Sequence, residues 1–421
     1  MQRRPDVVAG ICLAAALVVA LQAFGATPLL RFGGPTTASS TSPSGWLAYM
    51  KPKAAPQSPS LQALSFEEDS AMNALPADTG PASVNATGIR EVIGGMEVLT
   101  ITTGAAVPNA VLLLFHGCSH SAIDWWHASK NCTTCLGLPE EVGVARAALR
   151  RGWAAVAFSS TDREQRCWDT HSQGRDVDYS RDVAAVIQAW SVLAERSGWA
   201  KLPRFALGAS SGGAMVLALA QRLPLDGVCA MIMAVPPQAL GGKPADAASV
   251  KTWAYPPAFF VHMARDTNTA RAVAADMAVL KKQGVWTDEL VVQPRPLSPM
   301  FFSDRSDAVD AAASEKIYKA LRDAKLLNAT GYLVDDPRQT GHEWRKAVQA
   351  GMPEAAQVSL RADEAAVPEL LNLAWARHEI DSDAAAQALD WMEARRQDAS
   401  AKMLTVVKPR RALRATAAAA H

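Results

Sequence analysis

Short apolar runs alternate with helix-forming stretches through the middle of this 421-residue chain. The runs are largely uninterrupted by polar residues and rich in Val, Leu, Ile and Phe, which is typical of strands covered on both faces. They are GMEVLTITT (95–103), VLLLF (111–115), WAAVAFSS (153–160), FALGAS (205–210), VCAMIMAV (228–235), AFFVHMA (258–264) and ELVVQP (289–294).

The stretches between these runs repeat apolar residues at the period of 3.6 that an amphipathic helix requires. Several end in Arg or Lys followed by Gly, as helices commonly do. They are EEVGVARAALRRG (140–152), RDVAAVIQAWSVLAERSG (181–198), GGAMVLALAQRL (212–223) and ARAVAADMAVLKKQG (270–284). This alternation predicts a doubly wound, mostly parallel α/β sheet with a site at the carboxyl ends of its strands.

The charge of the chain is nearly balanced, with 42 Lys and Arg against 41 Asp and Glu. A broad basic field is therefore absent, and we expect no nucleic-acid partner. Neither G-x-G-x-x-G after the first strand nor a P-loop occurs, so a nucleotide site is not indicated. Cys132 and Cys135 form a lone C-x-x-C without further ligands at zinc spacing. We therefore predict neither a metal nor an organic cofactor.

Residues 7–26 carry no charge and one strongly polar residue, Gln22. About 20 helical residues span about 30 Å, the thickness of the hydrocarbon core of a bilayer. We therefore predict a transmembrane signal anchor over residues 1–26, with Arg3 and Arg4 cytoplasmic and the rest of the chain lumenal or extracellular. A cleaved signal peptide and a plastid transit peptide are the alternatives.

Three N-glycosylation sequons, at Asn85, Asn131 and Asn328, suit a lumenal or extracellular body. Five cysteines also lie beyond the anchor, an odd number, so at least one is free or pairs between chains if the compartment is oxidising. They are Cys118, Cys132, Cys135, Cys167 and Cys229. Their connectivity stays open, and we interpret them as structural disulfides or packed thiols.

Composition and pattern divide the remainder of the chain. Residues 27–94 are rich in Pro, Ser, Thr, Ala and Gly, which predicts a flexible linker. The folded domain is predicted over residues 95–397, and residues 398–421 are predicted to be a flexible tail. Within the domain, residues 300–372 separate the last strand from a closing helix, and we interpret them as a cap insertion.

Ser210 lies in Gly208-Ala209-Ser210-Ser211-Gly212, a G-x-S-x-G between an apolar strand and an apolar helix. A strand that turns directly into a helix forces its turn residue into a cramped conformation, and the two glycines remove β-carbons that would collide there. The Ser210 hydroxyl would then lie beside the unpaired N–H groups of the helix. We predict that Ser210 is a nucleophile, and a small-residue turn without chemistry is the alternative.

An acyl-transfer serine needs hydrogen-bond donors for the developing oxyanion. We assign these to the backbone N–H groups of Ser211 and of Cys118, which lies in the loop after VLLLF, where Gly117 permits a tight turn. In arrangements of this kind the order along the chain is serine, acid, histidine. His116 precedes the serine, so we interpret it as a structural residue of the loop.

The acid is expected after the strand AFFVHMA, which is followed by Asp266. The same residue would also suit the N-cap of the next helix. Two histidines lie further along, His342 and His378, and each is followed by Glu. We favour His378 as the base because an N-capped amphipathic helix that could close the sheet follows it, and His342 is the alternative.

The arrangement resembles the α/β-hydrolase superfamily over about residues 95–397. More narrowly, the runs HGCSHSAIDWW, CTTCLGLPEE, LGASSGG, FFVHMARDT and LNLAWARHEI are similar to an uncharacterised group of plant and algal α/β-hydrolase-like proteins. The resemblance implies an α/β-hydrolase fold, with Ser210 and Asp266 as triad members and His378 favoured over His342. It implies no particular substrate.

These features predict a membrane-tethered serine hydrolase, an esterase or lipase-like enzyme that acts on a small-molecule or lipid acyl substrate through an acyl-Ser210 intermediate. Its partners would be that substrate and the membrane, which it would meet through the N-terminal helix. A non-catalytic binding or scaffold protein and a serine peptidase are the alternatives, because a fold alone does not determine the chemistry.

Overall fold

The structure is a computed structural model that describes residues 86–104, 107–170, 180–240, 254–352, 360–361 and 365–398. Within these ranges one sheet has the strand order β1-β2-β4-β3-β5-β6-β7-β8. Its pairs are antiparallel between β1 and β2 and between β2 and β4, and parallel elsewhere. The strands are β1 (Thr87–Ile93), β2 (Met96–Thr102), β3 (Val111–Phe115), β4 (Ala154–Phe158), β5 (Arg204–Ala209), β6 (Gly227–Met231), β7 (Ala258–Met263) and β8 (Thr287–Val292). The predicted α/β-hydrolase fold, with a doubly wound and mostly parallel sheet, is confirmed.

Helices cover both faces of the sheet, which is why its central strands are apolar throughout. Alternate residues of β3 enter two separate cores: Leu112 and Leu114 enter one, and Leu113 and Phe115 the other. The helices are α1 (Pro139–Arg150), α2 (Arg181–Arg196), α3 (Ser211–Leu219), α4 (Thr267–Lys282), α5 (Phe301–Arg305), α6 (Ala311–Asp323), α7 (Gly341–Gly351), α8 (Ala366–Trp375) and α9, described over 382–398.

The register of the central strands brings the site loops to one edge. Phe115, the last residue of β3, is paired with Gly208 near the end of β5, and Ala209 is paired with Met231 at the end of β6. Because parallel strands end at the same edge, the loops that follow β3 and β5 leave the sheet side by side. The predicted oxyanion loop and the predicted nucleophile therefore lie together.

The folded body begins earlier than the sequence predicts. The linker was predicted to extend to residue 94, but β1 already starts at Thr87 and pairs along its whole length with β2. This strand lies at the edge of the sheet and keeps several side chains exposed, so it lacks the continuous apolar run that marks the central strands. The rest of the predicted linker, up to residue 85, lies outside the described residues.

The predicted anchor over residues 1–26 and the sequon at Asn85 also lie outside the described residues. Among the helices that the structure does describe, none has both the length and the apolar character needed to cross a membrane. The predicted C-terminal tail is outside the described part from residue 399 onward, whereas residue 398 still belongs to α9.

The segment predicted as a cap insertion, residues 300–372, contains α5, α6, α7 and the first part of α8. These helices contribute Phe302, Leu321 and Val348 to the same core as Leu371 of α8 and Leu389 of α9. The inserted helices are therefore bound to one face of the sheet domain by shared apolar packing. Whether they also cover a substrate stays a prediction.

Two disulfides join the cysteines whose connectivity the sequence left open. Cys118 is bonded to Cys167, which ties the loop after β3 to the segment after β4. Cys132 is bonded to Cys135 within the C-x-x-C. Cys229 is a buried free thiol in β6, where burial raises its pKa.

Candidate active site

Ser210 lies at the tip of a sharp turn between β5 and α3. Its φ of 52° and ψ of −120° are rare for a residue with a side chain. The turn is held from both sides, because the Ser210 N–H donates to the carbonyl of Met231 at 3.0 Å and the Ser210 carbonyl accepts from the N–H of Gly213 at 2.8 Å. Backbone strain of this kind persists only where surrounding bonds impose it.

The glycines of the G-x-S-x-G sequence are required by contacts. A β-carbon on Gly208 would lie 2.1 Å from the carbonyl oxygen of Gly212, and one on Gly212 would lie 2.2 Å from the carbonyl oxygen of Phe115. Both distances are far shorter than a van der Waals contact. Glycine at positions 208 and 212 therefore lets α3 start directly after β5 and beside the end of β3.

His378 lies between Ser210 and Asp266. Its Nε2 atom is 3.2 Å from the Ser210 hydroxyl oxygen, and its Nδ1 atom is 3.1 Å from a carboxylate oxygen of Asp266. With the ring proton on Nδ1, the Nδ1–H group would donate to Asp266, and Nε2 would be free to accept from the Ser210 hydroxyl. Ser210, His378 and Asp266 thus form one hydrogen-bonded row, which is the arrangement by which a serine can be activated.

Asp266 follows β7 and makes both kinds of contact that the sequence suggests. As the N-cap of α4 it accepts from the Thr269 N–H at 3.1 Å, and its other oxygen accepts from the Thr269 hydroxyl at 2.7 Å. Partial burial opposes its ionisation, but the hydrogen bonds from His378 and Thr269 outweigh burial and lower the pKa of Asp266. The N-cap and triad interpretations are therefore compatible, since one carboxylate can serve both.

The histidine loop, residues 376–380 between α8 and α9, carries His378 to this position. Ala376 ends α8 in a left-handed conformation, and its carbonyl accepts from the backbone N–H of Arg265 at 3.0 Å. That bond attaches the loop to the end of β7, beside Asp266. The alternative base, His342, is instead exposed on the first turn of α7.

The loop after β3 runs beside the serine. A β-carbon on Gly117 would lie 3.6 Å from the β-carbon of Ser210, an ordinary contact distance. Cys118 comes next, and its disulfide to Cys167 restrains it. Ser211 is the first residue of α3, where a helix has unpaired N–H groups. The assignment of the Cys118 and Ser211 N–H groups as oxyanion donors stays a prediction.

His116 is buried at the base of this loop, with both ring nitrogens engaged. Nδ1 lies 2.6 Å from the carbonyl oxygen of Gly117, and Nε2 accepts from the backbone N–H of Ser160 at 3.0 Å. Burial lowers the pKa of His116 to about 3, so the ring is neutral. The Trp168 indole N–H donates to the His116 carbonyl at 2.9 Å. These contacts fit a structural histidine.

A group of mostly acidic side chains includes and surrounds His120 of the loop that follows β3. Glu141 and Glu369 are both buried, and burial raises the pKa of each carboxyl group. The Nδ1 atom of His120, on the loop itself, lies 3.2 Å from a carboxylate oxygen of Asp124. Burial alone would lower the pKa of His120, but the Asp124 hydrogen bond and the Glu141 charge raise it to about 9. A cationic imidazole therefore offsets part of the acidic charge.

Sequence reasoning missed several residues that support the site. Thr269 could have been found, because an N-cap at Asp266 already requires the N–H three residues later. Two ion-paired residues of a distant turn, Asp336 and Arg338, contact the histidine loop without any local sequence signal. Among the described residues, no group of three or more His, Cys, Asp or Glu side chains could hold a metal ion.

No protein-family model matches this sequence, and no curated protein matches it. It is similar to three solved structures among others: a cold-adapted esterase from an Arctic intertidal metagenomic library (TM-score 0.33, 15% identity, 49% of this chain and 84% of that chain), a thermostable esterase (0.34, 12%, 50% and 55%) and TT1662 from Thermus thermophilus (0.31, 20%, 49% and 89%). TM-scores this low do not indicate a function for this chain. The narrower similarity to plant and algal proteins stays a prediction.

Proposed function

We propose that this chain is a serine hydrolase that cleaves carboxylic esters through an acyl-Ser210 intermediate. The observation that carries the proposal is the hydrogen-bonded row of Ser210, His378 and Asp266 at the carboxyl end of the sheet. Its support is physical, because a serine hydroxyl is a weak nucleophile at neutral pH unless a base is within hydrogen-bond distance and a third group orients that base.

In the acylation step, the Ser210 oxygen attacks the ester carbonyl while His378 Nε2 takes the hydroxyl proton. Asp266, whose pKa is lowered, stays ionised and accepts from Nδ1, which stabilises the imidazolium. His378 then returns the proton to the leaving alkoxide as the C–O bond breaks. A water molecule repeats the sequence on the acyl-enzyme, releasing the acid and restoring Ser210.

The negative charge that develops on the carbonyl oxygen needs donors fixed beforehand. We assign that role to the backbone N–H groups of Ser211 and Cys118. The position of Gly117 supports the second assignment, because a β-carbon there would lie 3.6 Å from the β-carbon of Ser210, which puts the loop beside the serine side chain.

The decisive experiment is labelling with a fluorophosphonate probe, combined with hydrolysis of p-nitrophenyl esters of graded acyl length. The wild-type chain should be labelled, and Ser210→Ala should abolish both labelling and hydrolysis, whereas Ser303→Ala on α5 should change neither. Labelling that persists in Ser210→Ala would refute the nucleophile. Cleavage of peptide p-nitroanilides by the wild-type chain would indicate a peptidase, and a wild-type chain that is neither labelled nor active would indicate a non-catalytic protein.

The two histidines provide a matched pair. His378→Ala should lower kcat by about 10³-fold or more, because Ser210 would lose its base. His342→Ala should stay near wild type, since His342 is exposed on α7. The reverse result would assign the base to the inserted segment.

We also propose that the body lies in the secretory lumen or outside the cell, tethered by residues 7–26. The two disulfides support an oxidising compartment, and Asn131 and Asn328 are both exposed. Expression in a eukaryotic cell followed by glycosidase digestion should shift the protein on a gel. An unshifted band, together with cleavage by protease added from the cytoplasmic side, would contradict this orientation.

A further inference from the structure

The residues on either side of His378 have opposite charges, and each has an oppositely charged partner on one turn of the inserted segment. Arg377 donates to Asp336 at 2.7 Å, and Arg338 donates to Glu379 at 3.2 Å. Positions 336 and 338 thus face positions 377 and 379 with complementary charge. Arg338 also donates to the backbone carbonyl of His378 itself.

The turn that carries Asp336 and Arg338, residues 336–338, is held by burial and by hydrogen bonds. Asp336 is nearly buried, and it accepts from the backbone N–H of Arg338 at 3.0 Å. Pro337 lies between them, and its carbonyl accepts from the indole N–H of Trp344 at 2.9 Å. Trp344 belongs to α7 and is buried in the core. The turn is therefore anchored to the packed body of the domain.

His378 needs such a support. Its side chain is 42% exposed, so packing alone does not fix the ring. Glu379 is held by more than Arg338, because it also accepts from Asn372 at 3.2 Å and from the Ile380 N–H at 3.1 Å. The histidine loop is thus held against α8 on one side and against the 336–338 turn on the other.

We infer that Arg338 is a positioning residue for the proposed base: through the His378 carbonyl and Glu379 it sets the place from which the imidazole reaches Ser210. Asp336 supports it through Arg377 and through the turn. The inference rests on the proposed function. It assigns part of the inserted segment to the alignment of the triad, a role different from covering a substrate. Arg338 does not touch the reacting atoms.

The test compares Arg338→Gln with wild type by kcat and KM on a p-nitrophenyl ester and by the labelling rate of Ser210. A misplaced base should lower kcat and the labelling rate about 10- to 100-fold and leave KM close to wild type. Arg338→Lys, which keeps the charge and one donor, should recover part of the loss. The matched control is Arg196→Gln, which breaks an arginine–glutamate pair with Glu91 of β1, four strands from β5.

The most discriminating experiment measures how Arg338→Gln changes the labelling rate when His378→Ala is already present. If Arg338 acts through His378, the second change lowers the residual labelling no further. An equal fold-loss in both backgrounds, or wild-type kcat in Arg338→Gln, overturns the inference. If Arg338→Gln does not fold, the isosteric Asp336→Asn tests the same turn with the same readouts. A wild-type chain that is neither labelled nor active instead refutes the proposed function, and the positioning role with it.

Discussion

Gly212 lies against the carbonyl oxygen of Phe115, so closely that a β-carbon on Gly212 would come within 2.2 Å of it. Phe115 ends β3 and leads into the loop with His116 and Cys118, whereas Gly212 belongs to the first turn of α3. The contact therefore fixes the distance between the predicted oxyanion loop and the predicted nucleophile. The predicted oxyanion loop and the predicted nucleophile therefore both lie next to this one contact between Gly212 and Phe115.

Gly212→Ala should destabilise the fold by on the order of 3 kcal/mol, because backbone rather than a movable side chain blocks the new methyl group. Chemical denaturation measures the loss. The control is Gly284→Ala, where φ is +80° but a β-carbon would meet nothing within 4 Å; it should cost only about 1 kcal/mol of conformational strain. Equal losses for the two variants would show that the contact with Phe115 is relaxed easily.

Ser210→Gly should be more stable than Ser210→Ala. The backbone at this position, with φ 52° and ψ −120°, costs a residue with a side chain about 1–3 kcal/mol, and glycine removes most of that cost. Glycine also has more conformational freedom in the unfolded chain, and this offsets up to about 1 kcal/mol of the gain in stability. Denaturant titrations of the two inactive variants isolate the strain, since both lack the hydroxyl. A less stable Ser210→Gly would mean that the turn is not strained.

Glu141→Gln should make the stability less dependent on pH. Burial raises the pKa of Glu141 to about 7, above its value in the unfolded chain. Protonated Glu141 therefore stabilises the fold fully below about pH 4.5, and this stability is lost as pH rises through 7. Gln is similar in shape and carries no charge at either pH. The groups that face Glu141 with charge are His120, Asp124 and Glu379.

The free energy of unfolding, measured at pH 5 and pH 8, checks this prediction. Relative to wild type, Glu141→Gln should be more stable at pH 8 than at pH 5. The control is Glu195→Gln on α2, which makes the same substitution at an exposed position. A constant difference for Glu141→Gln would show that Glu141 does not titrate in this range.

The parts of the fold that sequence predicts are those with a local signal. The central strands VLLLF and AFFVHMA are recognisable because burial on both faces makes every position apolar. The run VCAMIMAV was predicted to extend to residue 235, but β6 ends at Met231, because Ile232 adopts a φ of 47° and leaves the strand. Hydrophobicity alone does not predict such a turn.

The site divides in the same way. Ser210 is predictable because the glycines that its turn requires are two residues away on each side. The choice between His378 and His342 depended on how about 70 residues fold back, and periodicity carries no such information. The ion pairs that hold the histidine loop join residues 41 positions apart. No local sequence pattern specifies pairs that are so far apart along the chain.

The Cys118–Cys167 disulfide should contribute more to stability than the Cys132–Cys135 disulfide. The first closes a loop of 49 residues and the second a loop of 3. In the chain-entropy model these loops correspond to about 4 and about 2 kcal/mol, because a longer loop loses more unfolded-state freedom when it is closed. Denaturation of the double variants Cys118→Ser/Cys167→Ser and Cys132→Ser/Cys135→Ser checks the order.

The same two variants should also differ in activity. Cys118 lies one residue after Gly117, beside Ser210, so loss of its disulfide should loosen a proposed oxyanion donor and lower kcat about tenfold. Other bonds still hold the loop, including Ser119 N–H to the Gln165 carbonyl at 3.2 Å, so activity should fall but not vanish. The Cys132–Cys135 variant should keep its kcat, because that bridge closes a separate turn. Equal kcat values in the two variants would show that the disulfide is not needed to hold the proposed donor in place.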